Sequence, residues 1–72
     1  MNNITKVLLE NEALIYKIIN KYRTYFDIED LYQVAAIGLI EAYNNYQDGY
    51  NAKFTSYAYP YILGEVIKYI QS

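Results

Sequence analysis

Residues 27–46 have the sequence DIEDLYQVAAIGLIEAYNNY, and this segment carries the strongest helix signals in the chain. Asp27 can cap the N-terminus of a helix, and the acidic residues after it suit the positive end of the helix dipole. We predict a helix over residues 28–46. At about 100° of rotation per residue, its small and apolar side chains fall on one stripe that we expect to be buried. The stripe consists of Leu31, Ala35, Gly38, Leu39, Ala42 and Tyr46.

Gly38 lies in the middle of this stripe. Glycine inside a helix costs about 1 kcal/mol relative to alanine, so it needs a compensating reason. Its small neighbours along the stripe indicate that another helix approaches closely here.

The opposite side of the same helix carries two isoleucines among polar side chains. Scattered apolar residues are ordinary on protein surfaces, and another helix of the chain can also cover them. The third interpretation is a docking face for a partner, because a helix in a small bundle keeps one outward side. This candidate docking face consists of Asp30, Gln33, Ala36, Ile37, Ile40 and Glu41.

Apolar residues at three- and four-residue spacing predict helices on both sides of this stretch. Upstream we predict a short first helix and a second helix over about residues 11–25, with Asn11 as a possible N-cap between them. A polar turn follows at residues 47–51. The predicted fold is an all-α, three- to four-helix domain that spans residues 1–72.

The last helix is predicted over about residues 55–70. Thr55 or Ser56 can serve as its N-cap. Pro60 would then lie near the first turn, where its missing N–H costs least, although one turn later it would kink the helix.

The composition excludes several classes of function. The 72 residues include no cysteine and no histidine, which removes disulfides, thiolate or imidazole metal sites, and catalysis by Cys or His. We expect no cofactor. No apolar run approaches the roughly 20 residues of a membrane span, and no signal peptide opens the chain. We therefore expect a cytoplasmic, non-catalytic module. The hydrophobic core of a domain shorter than roughly 70–80 residues seldom stabilises the fold strongly, which favours a fold that is stabilised further by a partner protein.

Charge is unevenly distributed along the chain. The formal net charge is −2, yet residues 27–48 carry five acidic residues and no basic one. Such a segment suggests a basic protein partner for the middle helix. A solvated acidic face is the alternative interpretation.

Tyrosine is the dominant aromatic residue, with eleven copies against two phenylalanines. Lys53, Phe54, Tyr57, Tyr59 and Tyr61 gather at the start of the last helix, and Lys68 lies further along it. Aromatic side chains can stack on unpaired bases at about 1–3 kcal/mol each. The net negative charge argues against independent binding to duplex DNA, which depends largely on phosphate neutralisation.

Two ordered blocks of the sequence match the motifs of one protein family. Residues 30–43, DLYQVAAIGLIEAY, resemble the core-binding helix of bacterial sigma factors of the sigma-70 family, whose pattern is approximately D-L-x-Q-x-x-x-I-G-L-x-x-A. Residues 53–58, KFTSYA, are similar to the family's K-F-S-T-Y-A, and residues 59–66, YPYILGEV, resemble its sporulation and stress-response members. Residues 11–22 resemble the helix that precedes the core-binding helix.

The resemblance implies region 2 of a sigma factor, a helical module on the clamp helices of the RNA polymerase β′ subunit. It implies polymerase contacts at Asp30, Gln33, Ala36, Ile37 and Ile40, with Glu41 beside them on the same face. It further implies that Tyr57 and Tyr61 capture unpaired non-template bases of the −10 promoter element, within the holoenzyme only. Nearby positions are Tyr46, Tyr50, Lys53 and Phe54, of which helix phase turns Tyr46 towards the core.

The chain departs from the family pattern at several positions. Pro60-Tyr61 replaces a tryptophan pair, Gly64 and Ile67 occupy positions that help to read the upstream −10 base pair, and Val34 replaces an acidic residue. The sequence contains no region 4, so we expect that region on a separate co-sigma subunit or on a missing part. An anti-sigma factor is another possible partner. Two alternatives stay open: a decoy or appropriation factor that occupies the sigma site on polymerase, and a generic helical adaptor.

Overall fold

The structure is a computed structural model that describes residues 3–47, 51 and 53–72. These residues form helices and turns, with no strand among them, which confirms the all-α prediction. The elements are α1 (Asn3–Glu10), α2 (Glu12–Ile19), a 3₁₀ turn (Asn20–Tyr22), α3 (Ile28–Asn45) and α4 (Phe54–Gln71).

The two long helices, α3 and α4, form the most extensive contact in the structure. They run antiparallel, because Tyr69 near the end of α4 reaches Asp30 at the start of α3, while Phe54 packs on Tyr46 at the other end. Helix α2 packs against both. The fully buried core consists of Ile15, Ile18, Ile19, Leu31, Ala35, Leu39, Ala42, Ala58, Ile62 and Val66.

The start of α3 follows the sequence prediction. The Asp27 carboxylate accepts hydrogen bonds from the backbone N–H groups of Glu29 at 2.8 Å and Asp30 at 3.2 Å. These bonds satisfy two of the donors that a helix N-terminus leaves unpaired. The predicted stripe is buried at Leu31, Ala35, Gly38, Leu39 and Ala42, and half-buried at Tyr46.

The predicted end of the second helix at residue 25 is wrong, because α2 ends at Ile19 and a 3₁₀ turn follows. The N–H groups of Tyr25 and Phe26 both donate to the Tyr22 carbonyl at 3.1 Å, which closes a turn. This turn lets Phe26 pack edge-on against Tyr69 of α4, with ring centroids 5.7 Å apart. Residues such as Asn and Thr favour helix only weakly, so the tertiary contact outweighs the local periodicity.

Asn11 divides α1 from α2 as expected, but its side chain does not cap α2. The Asn11 Nδ2 group donates to the Val7 carbonyl at 2.8 Å. The Val7 carbonyl also accepts from the Asn11 backbone N–H at 3.2 Å, so the side chain adds a second hydrogen bond at the end of α1.

The predicted caps of the last helix are also wrong. Helix α4 begins at Phe54 after Lys53, which makes no side-chain capping bond, and both Thr55 and Ser56 lie inside the first turn. The Phe54 ring packs against Tyr46 at a centroid distance of 5.3 Å, and the N-cap, Lys53, lies two residues before Thr55, the first cap that propensity suggests. Pro60 consequently lies inside the helix, which continues to Gln71.

Candidate functional site

The outward side of α3 carries the six residues expected to bind a partner, and we call them the α3 ridge: Asp30, Gln33, Ala36, Ile37, Ile40 and Glu41. The four residues that are exposed are Asp30, Gln33, Ile37 and Glu41. Ile37 keeps 50% of its surface in solvent, as expected. Ile40 and Ala36 are half-buried, which corrects the expectation that both isoleucines are bare. Other parts of the chain therefore cover one edge of the ridge.

Gly38 determines which side of α3 faces outward. A Cβ atom at this position would lie 2.5 Å from the Tyr61 carbonyl oxygen and 2.7 Å from the Ile62 Cα atom. Both atoms belong to the α4 backbone, which cannot rotate away as a side chain can. The predicted close approach of a neighbouring helix is confirmed. Because α4 seals this side of α3, Ile37 is directed away from the α3–α4 contact.

A charged group from α4 adjoins the ridge at Glu41. The Glu65 carboxylate is largely covered and accepts a hydrogen bond from Lys68 Nζ at 3.2 Å. The pKa of Glu41 is raised, first by a hydrogen bond with Glu65, then by burial and by the negative charge of Glu65, whereas Lys68 lowers it. Sequence reasoning missed Glu65 as a neighbour of the ridge, since only the packing of α4 on α3 brings it there.

Asp30 makes a second contact between the ridge and α4. Its Oδ2 atom accepts a hydrogen bond from the Tyr69 hydroxyl at 3.4 Å. Burial raises the pKa of Tyr69, and the Asp30 charge and this hydrogen bond raise it further. The contact orients the carboxylate at the start of the ridge.

Four aromatic rings form a continuous cluster where α3 ends and α4 begins. Tyr46 packs against Phe54 at 5.3 Å and against Tyr57 at 5.2 Å, measured between ring centroids. Tyr57 in turn packs against Tyr61 at 5.2 Å, and their hydroxyl oxygens lie 3.1 Å apart. All four rings are half-buried. The structure thus brings together three of the expected DNA-contacting residues, with Tyr46 supporting them.

Tyr59 does not belong to this cluster. It lines a different groove of about 420 Å³ between α2 and α4, together with Leu14, Lys17, Thr55, Ser56 and Pro60. Two residues along a helix correspond to about 200° of rotation, so Tyr57 and Tyr59 must face different sides. The single platform expected at the start of the last helix is therefore two separate surfaces. The rotation of about 200° between Tyr57 and Tyr59 could have been predicted from the sequence of α4.

The remaining candidate DNA contacts are dispersed. Lys53 is exposed at the N-cap of α4, and Lys68 is bonded to Glu65. Tyr50 lies outside the described residues. Gly64 is exposed with no atom near its missing side chain, and Ile67 keeps 37% of its surface exposed.

The described residues contain no group of three Asp, Glu, His or Cys side chains arranged to hold a metal ion. Among the helices of the described chain, none combines the length and the apolar character needed to cross a membrane.

Comparison with known proteins identifies the family. The family model for sigma-70 region 2 matches residues 8–72. The chain belongs to the sigma-70 region 2 family. The region 2 resemblance noted in the sequence is thereby confirmed, and the helical fold is consistent with it.

Curated relatives of this region 2 chain are RNA polymerase sigma-G and sigma-F factors. It is 34% identical over 67 residues to a putative RNA polymerase sigma-G factor of Bacillus thuringiensis subsp. kurstaki, covering 92% of this chain and 54% of that protein. It is 33% identical over 67 residues to the sigma-G factor of Bacillus subtilis, covering 92% and 26%. For the sigma-F factor of Priestia megaterium the identity is 27% over 66 residues, covering 90% and 26%.

The region 2 chain thus spans about half the length of one of these relatives and about a quarter of the others. No solved structure gives a significant match to it.

Proposed function

We propose that the chain binds core RNA polymerase through the α3 ridge, on the clamp helices of the β′ subunit, as a region 2 module in transcription initiation. One observation carries this proposal: Ile37 is half exposed between polar ridge residues, while Gly38 beside it is sealed against α4. The family membership supports the partner, because the ridge coincides with the positions at which the resemblance implies polymerase contacts.

The ridge offers both apolar and polar contacts to such a partner. Full burial of an isoleucine side chain contributes about 1.5–3 kcal/mol, and Ile37 keeps half of its surface available for this. Asp30 and Gln33 flank it with one carboxylate and one amide that can bind arginine or backbone groups. An apolar centre with a polar rim is the usual anatomy of a specific interface.

Substitution of Ile37 by glutamate tests this proposal. We expect core polymerase binding to fall by at least about tenfold, because a charge would be buried at the centre of the contact. Ile67→Glu is the matched control, since Ile67 is also an exposed isoleucine but lies on α4. Binding is measured by a fluorescence titration of the labelled chain with core polymerase, and far-UV circular dichroism checks that both variants fold. A folded Ile37→Glu variant with unchanged affinity would contradict the proposal.

For promoter DNA, we propose that Phe54, Tyr57 and Tyr61 contribute to binding unpaired −10 bases within the holoenzyme, with Tyr59, Lys53 and Tyr50 as further candidate contacts. Tyrosine rings provide stacking surfaces for bases. The net charge of −2 leaves the chain dependent on polymerase to bring it to DNA. A separate co-sigma subunit with region 4, or an anti-sigma factor, would be a further partner.

Pro60 and Gly64 favour a second candidate function. These residues lack the side chains that would stack on or hydrogen-bond to bases at the corresponding family positions, and Pro60 is followed by a half-buried Tyr61. A chain that docks on polymerase without reading the promoter would act as a decoy or appropriation factor. Transcription in vitro with core polymerase and a region 4 partner separates the two functions: a region 2 subunit activates transcription, whereas a decoy only inhibits it.

A further inference from the structure

A pocket lies beside the α3 ridge, between α2 and the first turns of α3. It has a volume of about 290 Å³ and is lined by Tyr16, Ile28, Glu29, Tyr32 and Gln33. We call it the Tyr16–Tyr32 pocket. Gln33 belongs both to this pocket and to the α3 ridge, so the two surfaces are continuous.

Two tyrosine rings form the walls of the pocket. The ring centroids of Tyr16 and Tyr32 lie 5.6 Å apart, with the planes tilted by 43°. The Tyr32 hydroxyl donates to Glu12 Oε2 at 3.0 Å, which holds that ring against α2. Tyr16 keeps 40% of its surface exposed. A flat side chain of another protein can therefore lie against the exposed ring of Tyr16, because the neighbouring ring of Tyr32 is already held in position.

The pocket is negatively charged. Glu29 is exposed and lines the pocket, and the Glu12 carboxylate lies at the Tyr32 hydroxyl. No basic side chain lines it in the part of the chain that the structure describes. Lys17 of α2 instead lines the groove on the α4 side. An occupant with a positive charge would thus meet a carboxylate and aromatic faces without repulsion from the chain's own cations.

We propose that the Tyr16–Tyr32 pocket receives an arginine side chain of the protein that docks on the α3 ridge. This inference rests on the proposed function, because the same partner must reach both surfaces. The pocket lies at or below the lower limit of roughly 300–1,000 Å³ for small-molecule sites, so it fits one side chain better than a free ligand. A guanidinium stacks on tyrosine and binds a carboxylate through two parallel hydrogen bonds, which the ammonium of lysine cannot do.

Variants on the two sides of the pocket test this inference in binding titrations with core polymerase. Tyr16→Ala removes one ring and Glu29→Gln removes the negative charge. Each is expected to weaken binding about 3- to 10-fold, the range expected for one cation–π contact or one partly shielded ion pair. The matched controls are Tyr25→Ala and Glu10→Gln, which remove an exposed ring and an exposed charge elsewhere. These controls are expected to bind as the unmodified chain does.

Salt separates the two contributions. The defect of Glu29→Gln should shrink as the salt concentration rises, because an ion pair near the surface is screened, whereas the defect of Tyr16→Ala should persist. Circular dichroism monitors folding, and Glu29→Gln keeps the test valid if Tyr16→Ala unfolds α2.

Three outcomes would overturn the inference. If Ile37→Glu abolishes binding while both pocket variants bind normally, the proposed function stands and the pocket has no role in docking. If the unmodified chain does not bind core polymerase, both proposals fail together. If the pocket variants lose self-association in sedimentation experiments but keep polymerase binding, the pocket binds a second copy of the chain instead of polymerase.

Discussion

Replacing Gly38 by alanine adds one methyl group at the closest approach of α3 and α4. The new Cβ atom would meet the Tyr61 oxygen at 2.5 Å, the Ile62 Cα atom at 2.7 Å and the Ile62 nitrogen at 2.9 Å, where ordinary contacts lie at 3.4–4 Å. All three neighbours are backbone atoms, so the helices themselves must separate. We therefore expect a loss of packing between the two longest helices of the fold.

Two opposing effects set the magnitude of this change. Overpacking a well-packed contact costs about 1–3 kcal/mol, whereas alanine is better than glycine inside a helix by about 1 kcal/mol. The net free energy of unfolding is expected to fall by up to about 2 kcal/mol. For a domain of this size, each kcal/mol corresponds to a change of about 4–8 °C in Tm.

Gly64→Ala is the matched control, because Gly64 also lies inside a helix but no atom lies within 4 Å of its missing Cβ. This variant is expected to be more stable by about 0.5–1 kcal/mol. The difference between the two variants cancels the intrinsic helix preference and isolates the packing cost, about 1–3 kcal/mol. Urea denaturation followed by far-UV circular dichroism measures it. If Gly38→Ala gains as much stability as Gly64→Ala, the close contact of α3 with α4 is refuted.

Three further predictions concern hydrogen bonds and protonation. Asp27→Ala removes the N-cap of α3 and should destabilise the fold by about 0.5–2 kcal/mol in urea denaturation, whereas Asp27→Asn should lose far less. The pKa of Glu41 is raised above the ordinary 4.5, so the folded state binds the proton of this carboxyl group more tightly than the unfolded state does. The group therefore lowers the free energy of unfolding as the pH rises above 4.5. In Glu41→Gln the decline of the urea midpoint above pH 4.5 should be smaller, and an unchanged decline would argue against the contact with Glu65. Burial, followed by the bond to Glu12, raises the pKa of Tyr32 from 10.0 to about 12. The free energy of unfolding should therefore decrease as the pH rises from 10.0 to about 12. Tyr32→Phe should weaken that alkaline decline, as followed by circular dichroism, and an equal decline in both chains would exclude Tyr32 as its source.

The properties of α3 that depend on helix geometry could be predicted from the amino-acid sequence. The buried stripe through Leu31, Ala35 and Ala42, the cap at Asp27 and the exposed Ile37 all follow from a repeat of 3.6 residues and from local hydrogen bonding. Gly38 was informative for the same reason. Its position on the buried stripe and the low helix propensity of glycine predicted that another helix packs closely against it. These features depend on the geometry and the local hydrogen bonds of a single helix.

The features that depend on how the helices pack could be seen only in the folded chain. α2 ends at Ile19 because Phe26 turns to reach Tyr69, and α4 begins early because Phe54 packs on Tyr46. The approach of Glu65 to Glu41 and the pairing of Tyr16 with Tyr32 join residues far apart in sequence. The position and orientation of one helix against another depend on the sum of many weak contacts, and no local pattern in the chain records that sum.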